Sequence, residues 1–247
     1  MLLKLKDLLE HIDHTRQKIN AYRPFAEPML SQLKAYYRVG LTYSSNALEG
    51  NSLTETETKV VLEDGLTAGG KPLRDHLEAV GHSEAYDFMF SLMSGDLFTE
   101  QDILTLHRMF YSKIDEKQAG RYRRQRVFIS GSQHAVPDWP DVPLLMGNWL
   151  KELPEQKKKL HPVELAAQVQ KDFVFIHPFV DGNGRVARLL ANLVLIQTGH
   201  LLVIIPPILR TEYISSLEKA HTDDADFQQF IAERVLETQR DYLRLLK

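Results

Sequence analysis

Apolar residues along the chain recur mostly at helical spacing. Residues 2–20 place Leu5, Leu8, Leu9 and Ile12 on one face, and a second helical stretch is predicted over about 28–48. Thr99, with Asp102 three positions on, resembles a capping box, and Ile103, Leu106, Phe110 and Ile114 follow at helical intervals. Pro162, a residue favoured in a first turn, opens a predicted helix over 162–175. The next spans roughly 184–198 and stops at Gly199, which readily takes the left-handed cap. Residues 211–221 and 226–245 also read as helices. Strand signals are scarce. The best is 126–134, where Val127, Phe128 and Ile129 meet a Ser130-Gly131 turn, predicting a small hairpin. The basic run 157–159 reads as a solvated surface turn. The expected fold class is therefore mainly α, with one small β-hairpin.

Composition narrows the function classes. Of 247 residues, 43% are hydrophobic and 26% charged, a globular balance that excludes a disordered or fibrous chain. Lys+Arg 30 against Asp+Glu 33 gives a net charge of −3, without the basic footprint of a nucleic-acid binder. With Cys 0 there is no disulfide framework and no thiolate metal site, so any metal sits on oxygen or imidazole. The most apolar region, 189–209, is interrupted by Asn192, Gln197, Thr198, His200, Pro206 and Pro207, and falls short of a membrane span. The opening MLLKLKDLLEHIDH mixes charge into its leucines and does not read as a signal peptide. A soluble cytoplasmic protein with no nucleic-acid or membrane partner is the expectation.

The most informative segment joins two predicted helices: Phe175-Ile-His-Pro-Phe-Val-Asp-Gly-Asn-Gly-Arg-Val-Ala-Arg188. The first helix ends near His177, because Pro178 disfavours α conformation in the residue before it. Gly182 and Gly184 allow a turn tight enough to aim several N–H groups at one spot, where the next helix begins. Free amides and the helix dipole there suit an anion. Arg185 and Arg188 sit three apart in that first turn, opposing the dipole by roughly 0.3–1 kcal/mol each. A phosphate chain removes the conflict by meeting the amides and both guanidinium groups. Asp181 is placed to hold Mg²⁺, and His177 to act as a general base near neutral pH. The residues alone leave two readings open, a phosphate site or a plain turn with surface arginines. No Walker A pattern occurs.

These residues resemble the Fic family motif, H-P-F-x-D/E-G-N-G-R-x-x-R, matched at all nine specified positions of the twelve from His177 to Arg188. The resemblance continues through Gly120-Arg-Tyr-Arg123, Val127–Ile129 and His161-Pro-Val-Glu164, covering roughly 99–234. It implies a Fic-type helical bundle and protein adenylylation, the transfer of AMP from ATP to a hydroxyl of a target protein or of the chain itself. In that scheme His177 deprotonates the target hydroxyl and Asp181 holds Mg²⁺. Gly182, Asn183 and Gly184 bind the α-phosphate region, Arg185 and Arg188 hold the β- and γ-phosphates, and Phe179 anchors the loop. Val127, Phe128, Ile129 and Ser130 correspond to the family's flap, which pairs with a target segment. Tyr213 and His221 fall on the adenine side, His221 at a position often held by Asn. Doc-like kinases carry lysine at the second loop glycine, whereas Gly184 is intact here. Homodimers are common in the family.

Far upstream, Ser45-Asn-Ala-Leu-Glu49-Gly50 puts Ser45 and Glu49 on one helical face, with Gly50 as a C-cap. Glu49 near a helix C-terminus opposes the dipole, as the two arginines do at their N-terminus, so the opposite charges suit one another. The hexapeptide also resembles the family's inhibitory motif, [ST]-x-x-x-E-[GN]. That resemblance implies a pairing of Glu49 with Arg188 that blocks the γ-phosphate. The resulting division is a helical lobe at 1–98, a catalytic core at 99–234 and a helical tail at 235–247. Three functions follow: an autoinhibited adenylyltransferase, a phosphodiesterase that removes AMP using Glu49, or a nucleotide-sensing binding module. Intact His177 argues against the last, and transfer of another nucleotide-derived group is a variant of the first.

Overall fold

Helices bury one another's apolar faces through most of the chain. The computed structural model describes residues 4–23 and 27–246, so residues 2 and 3 of the first predicted helix lie outside the described residues. The helices are α1 Leu5–Asn20, α2 Glu27–Ala47, α3 Glu55–Lys59, α4 Leu73–Ser91, α5 Glu100–Tyr111, α6 Val142–Lys159, α7 Pro162–Ile176, α8 Asn183–Gln197, α9 Arg210–Lys219 and α10 Ala225–Leu245. A π-helical turn, Val60–Asp64, continues α3.

The centre is α8. Twelve of its fifteen residues are buried, which only a helix surrounded on all sides by others can satisfy. It packs most extensively against α7, with α4, α5 and α2 also in contact. α10 lies on α7, and α1 lies along α10. One buried core runs without a break from Leu8 and Ile12 of α1 to Tyr242 of α10. α4 crosses α5 so closely that a Cβ at Gly81 would overlap the carbonyl oxygen of Phe110.

Local sequence accounts for several boundaries. Thr99 and Asp102 form the expected capping box at α5, and Thr54 with Glu57 forms one at α3. At α7, the ring of His161 accepts from Val163 N while Glu164 accepts from His161 N at 2.9 Å. Gly199, with φ 77°, follows α8 as anticipated.

Two expectations are corrected. The basic run 157–159 forms the last turn of α6, where Lys157, Lys158 and Lys159 complement the helix dipole. Residues 126–134 contain the Ser130-Gly131 turn but no strand ladder. The returning arm is tied to α9 instead: Ser132 Oγ donates to Glu218 at 3.0 Å, and Gln133 N donates to it at 2.7 Å. An isolated two-stranded hairpin is marginal in water, and here side-chain bonds to α9 hold the arm in place of a ladder.

A candidate phosphate-transfer site at the start of a buried helix

The loop between α7 and α8 is built by its own side chains. Asn183 is buried and both polar atoms of its side chain bind Phe179: Oδ1 accepts from Phe179 N and Nδ2 donates to Phe179 O, each at 2.9 Å. The Phe179 ring is fully buried and stacks on His107 at 3.7 Å. His107 Nδ1 accepts from Gly120 N at 2.9 Å, so its Nε2–H donates to Asp181 O at 3.2 Å. Gly182 has φ 80°, and a Cβ there would sit 2.8 Å from the Phe110 ring, so glycine is required on two counts.

His177 caps α7 with φ 52° and ψ 57°, the single non-glycine residue at positive φ among those described. Strain of this kind, of order 1–3 kcal/mol, persists where the surroundings over-determine the conformation. Arg123 supplies that constraint: its Nε donates to His177 O at 2.8 Å and its backbone N to Pro178 O at 2.9 Å. His177 Nδ1–H donates to Val174 O at 3.2 Å, which leaves Nε2 as the proton-accepting atom. Burial, with a contribution from Arg123, holds this imidazole below its ordinary pKa, so it is neutral near pH 7.

Two cation networks converge on the start of α8. Arg188 is buried and reaches the end of α2. Its Nε donates to Ser45 Oγ at 2.9 Å, and its Nη2 donates to Ser45 O at 2.9 Å and to Glu49 Oε1 at 2.7 Å. Below it lies Tyr213, whose hydroxyl accepts from Gln170 Nε2 at 2.9 Å and lies 3.4 Å from Arg188 Nη1. Burial pushes the Glu49 carboxyl up, but Arg188 and Arg185 outweigh it and hold the pKa below the usual value. Gly50, at φ 95°, turns the chain away directly after Glu49. A Cβ on Gly184 would overlap Glu49 Oε1, so the glycine is what lets that carboxylate rest on the α8 N-terminus.

Arg185 faces elsewhere. It is buried with its guanidinium 4.2 Å from the centre of the Phe110 ring, 3.2 Å from Glu78 and 3.1 Å from Asp181. Arg74 of α4 also holds Asp181, Nη2 to Oδ2 at 2.7 Å, and Gly182 N donates to Oδ1 at 2.6 Å. Burial raises the Asp181 pKa less than Arg185, the Gly182 amide and Arg74 lower it, so it is ionised well into acid. An ionised, partly exposed carboxylate beside a helix N-terminus has the donor chemistry Mg²⁺ prefers, one or two carboxylates completed by phosphate and water.

A cavity of about 140 Å³ is lined by Glu49, His177, Gly184, Arg188, Tyr213 and His221, together with Ile129 and His134 of the loop after α5. The site thus gathers the imidazole, one arginine, the adenine-side pair and the α2 carboxylate, while Asp181, Asn183 and Arg185 stand outside this cavity. His221 is sandwiched between Phe175 at 3.7 Å and His134 at 3.8 Å. Phe128 of the expected flap is 92% exposed, and Ile129 turns inward to the cavity. Sequence reasoning did not assign roles to Arg74, Glu78, His107, His134, Gln170 or Glu218. Each reaches the site from another element, and only the Gly120–Arg123 resemblance pointed towards Arg123.

Fold and site together define a helical domain whose candidate anion loop is the α7–α8 junction. The Fic/DOC family profile matches residues 97–195. Over 98% of this chain and 72% of theirs, the coordinates of Fic-1 from C. elegans superpose with a TM-score of 0.89 at 30% identity. A Fic domain containing signaling protein from Bacteroides thetaiotaomicron gives 0.86 at 26% identity, covering 93% and 95%. "Protein adenylyltransferase Fic" of Nematostella vectensis is 35% identical over 96% of this chain and 56% of its own length. The chain belongs to the Fic/DOC family. It spans about half the length of the curated relatives it matches.

Proposed function

We propose that this chain is an autoinhibited protein adenylyltransferase that moves AMP from Mg-ATP to a hydroxyl side chain of a protein target. The observation that carries the reading is the α7–α8 loop, where a neutral imidazole with a free Nε2 faces the same cavity as a buried guanidinium at a helix N-terminus. Relatives 35% identical across nearly the whole chain are named protein adenylyltransferases.

In this reading, His177 Nε2 accepts the proton of the target hydroxyl as its oxygen attacks the α-phosphate, and pyrophosphate leaves. The amides of Gly182, Asn183 and Gly184 and the α8 dipole stabilise phosphate charge. Arg188 holds the terminal phosphates once Glu49 leaves it. Arg185 acts from behind by orienting Asp181, with Arg74 on its other oxygen. Mg²⁺, when bound at Asp181, neutralises phosphate charge. Tyr213 positions Arg188, and the Phe175–His221–His134 stack offers flat faces to a base. Ile129 lines the cavity, and with its neighbours Val127, Phe128 and Ser130 it offers the edge on which a target segment docks. Residues 99–234 are the catalytic core, 1–98 the lobe carrying Glu49, and 235–247 a helical tail. The cytoplasm, which supplies ATP, is the proposed compartment.

Autoinhibition rests on Glu49 occupying the one cavity-facing guanidinium of the motif, in a cavity below the roughly 300–1,000 Å³ of ordinary small-molecule sites. Glu49 lining the same cavity as His177 also favours a second activity, removal of AMP from a modified protein by a water that Glu49 positions. The test is intact-mass and peptide mass spectrometry after incubation with Mg-ATP. Glu49→Gly should gain AMP adducts at least tenfold over wild type, and Glu49→Gly with His177→Ala should show none. Equal labelling of wild type and Glu49→Gly would remove the inhibitory role. A pre-adenylylated target cleaved by wild type but not by Glu49→Gly would establish the hydrolytic reading.

A further inference from the structure

Remote from the α7–α8 loop, one cluster of ligand-type side chains includes a buried imidazole nitrogen without a hydrogen-bond partner among the described residues. Asp13 of α1, His161 at the start of α7 and His200 just beyond α8 each bring one ligand atom within 4.8 Å of the others. His200 is 2% exposed. Its Nδ1 lies 3.2 Å from Thr198 Oγ1, a hydroxyl whose own hydrogen goes to Val194 O or Leu195 O at 2.8 or 2.9 Å. Nδ1 therefore carries the ring proton, and Nε2 is a bare lone pair.

That lone pair faces Asp13 Oδ1 at 3.8 Å, and neither atom has a hydrogen-bond partner among the described residues. Two acceptors opposed across a buried gap repel, and each forfeits the hydration it had in water. Arg16 offsets the charge on Asp13 but does not reach the His200 lone pair, whereas a cation seated between carboxylate and ring answers both. His161 extends the set, with Nε2 3.4 Å from Asp13 Oδ2. A tetrahedral ion with bonds of about 2.1 Å holds its donors roughly 3.4 Å apart. One Asp13 oxygen and the two imidazole nitrogens, which lie within 4.8 Å of one another, would draw together around it.

We propose that Asp13, His161 and His200 form a structural site for a divalent transition metal of the zinc class, with water as fourth ligand. Two imidazoles and a carboxylate suit such an ion, and a chain with Cys 0 has no thiolate to offer. The Nδ1–H of His200 on Thr198 Oγ1 fixes that ring from behind, as such ligands require. Binding at His161 Nε2 moves its proton to Nδ1 and gives up the 3.2 Å contact from Val163 N, while Glu164 keeps its own cap bond. Arg16, 3.4 Å from Asp13 Oδ1, is the cation that the metal displaces, and it retains its bond to Thr198 O. The ion joins α1 to the start of α7 and the far end of α8. A helix of fifteen residues, about 22 Å, separates this place from the anion loop. Its effect therefore falls on stability and on the seating of α1, independently of nucleotide transfer.

The test uses the full chain, stripped with chelator and titrated with ZnCl₂ by calorimetry, with thermal melts alongside. Wild type should bind one Zn²⁺ and melt higher with it. Asp13→Asn, at a half-exposed position that tolerates the change, and His200→Gln should each weaken binding at least ~10-fold and erase the Tm rise. Co²⁺ should give the strong visible bands of a tetrahedral ion in wild type and in His177→Ala, and lose them in Asp13→Asn. Zinc binding that is equal in wild type and Asp13→Asn would overturn the proposal. So would a Tm that follows pH but not zinc, or Co²⁺ bound with only weak octahedral bands.

Discussion

His177 shows how one residue's backbone and side chain serve the same end. Pro178 after it stops the helix, the Arg123 guanidinium on its carbonyl holds the left-handed cap, and in that cap the ring Nδ1 meets Val174 O. Burial then lowers the imidazole pKa from its ordinary 6.5. A base works only unprotonated, so activity is lost as pH falls through the lowered pKa. In Glu49→Gly, the acid limb of kcat/KM against pH should therefore have its midpoint below 6.5. A midpoint above 6.5 would assign the limb to a different group. The individual loop residues were legible because a dozen contiguous positions carry them. Arg74, Glu78 and Gln170 were not, because each acts across tens of residues and nothing in its local sequence marks it. Asn183 and Arg185 illustrate the complementary gap. Their presence was readable, but their partners were not: Asn183 folds back on Phe179 and Arg185 on Asp181, each four residues away, and the contact of Arg185 with Glu78 depends on where α4 lies.

At the scale of elements, predicted and observed helices agree where an apolar stripe faces one partner, and also at α8, which is buried all round but marked by Gly184 near its start and Gly199 just past its end. α1, α5 and α10 are of the first kind, burying residues at helical intervals such as Ile103, Leu106 and Phe110. α4 escaped notice because it has neighbours on more than one side. It buries Asp75, His76, Glu78 and His82 along with Ala79, Tyr86 and Met89, which erases any stripe. α6 escaped because Pro143, Gly147 and Pro154 read as breakers, yet the first falls in the opening turn and packing tolerates the others. The α4–α5 crossing carries the Arg74 and Glu78 contacts to the site and depends on Gly81. Gly81→Ala should destabilise by about 1–3 kcal/mol, read as a lower urea midpoint at unchanged m-value. An unchanged midpoint would mean that the two helices separate at little cost.

Across the whole molecule, the α2 end that bears Glu49 and the α1 helix that closes against α10 belong to one continuous core. Ile12 of α1 is fully buried within it. Ile12→Ala should lower stability by about 2–5 kcal/mol while the melt stays a single transition. Two separate transitions would show that the N-terminal lobe unfolds on its own. A net charge of −3 says little about such a molecule, because the charges that matter are paired internally: Arg188 with Glu49, Arg185 with Glu78 and Asp181. What the sequence determined by itself is local: the helical class, the caps, and the identity of the imidazole, carboxylate and guanidinium groups, since contiguous spacing dictates those through short-range sterics and hydrogen bonds. The tertiary structure alone decided that Glu49 rests on Arg188, that Arg74 reaches Asp181, and that Asp13 meets His161 and His200. Those meetings join residues dozens to nearly two hundred positions apart, and only the packing of whole helices brings such positions within bonding distance.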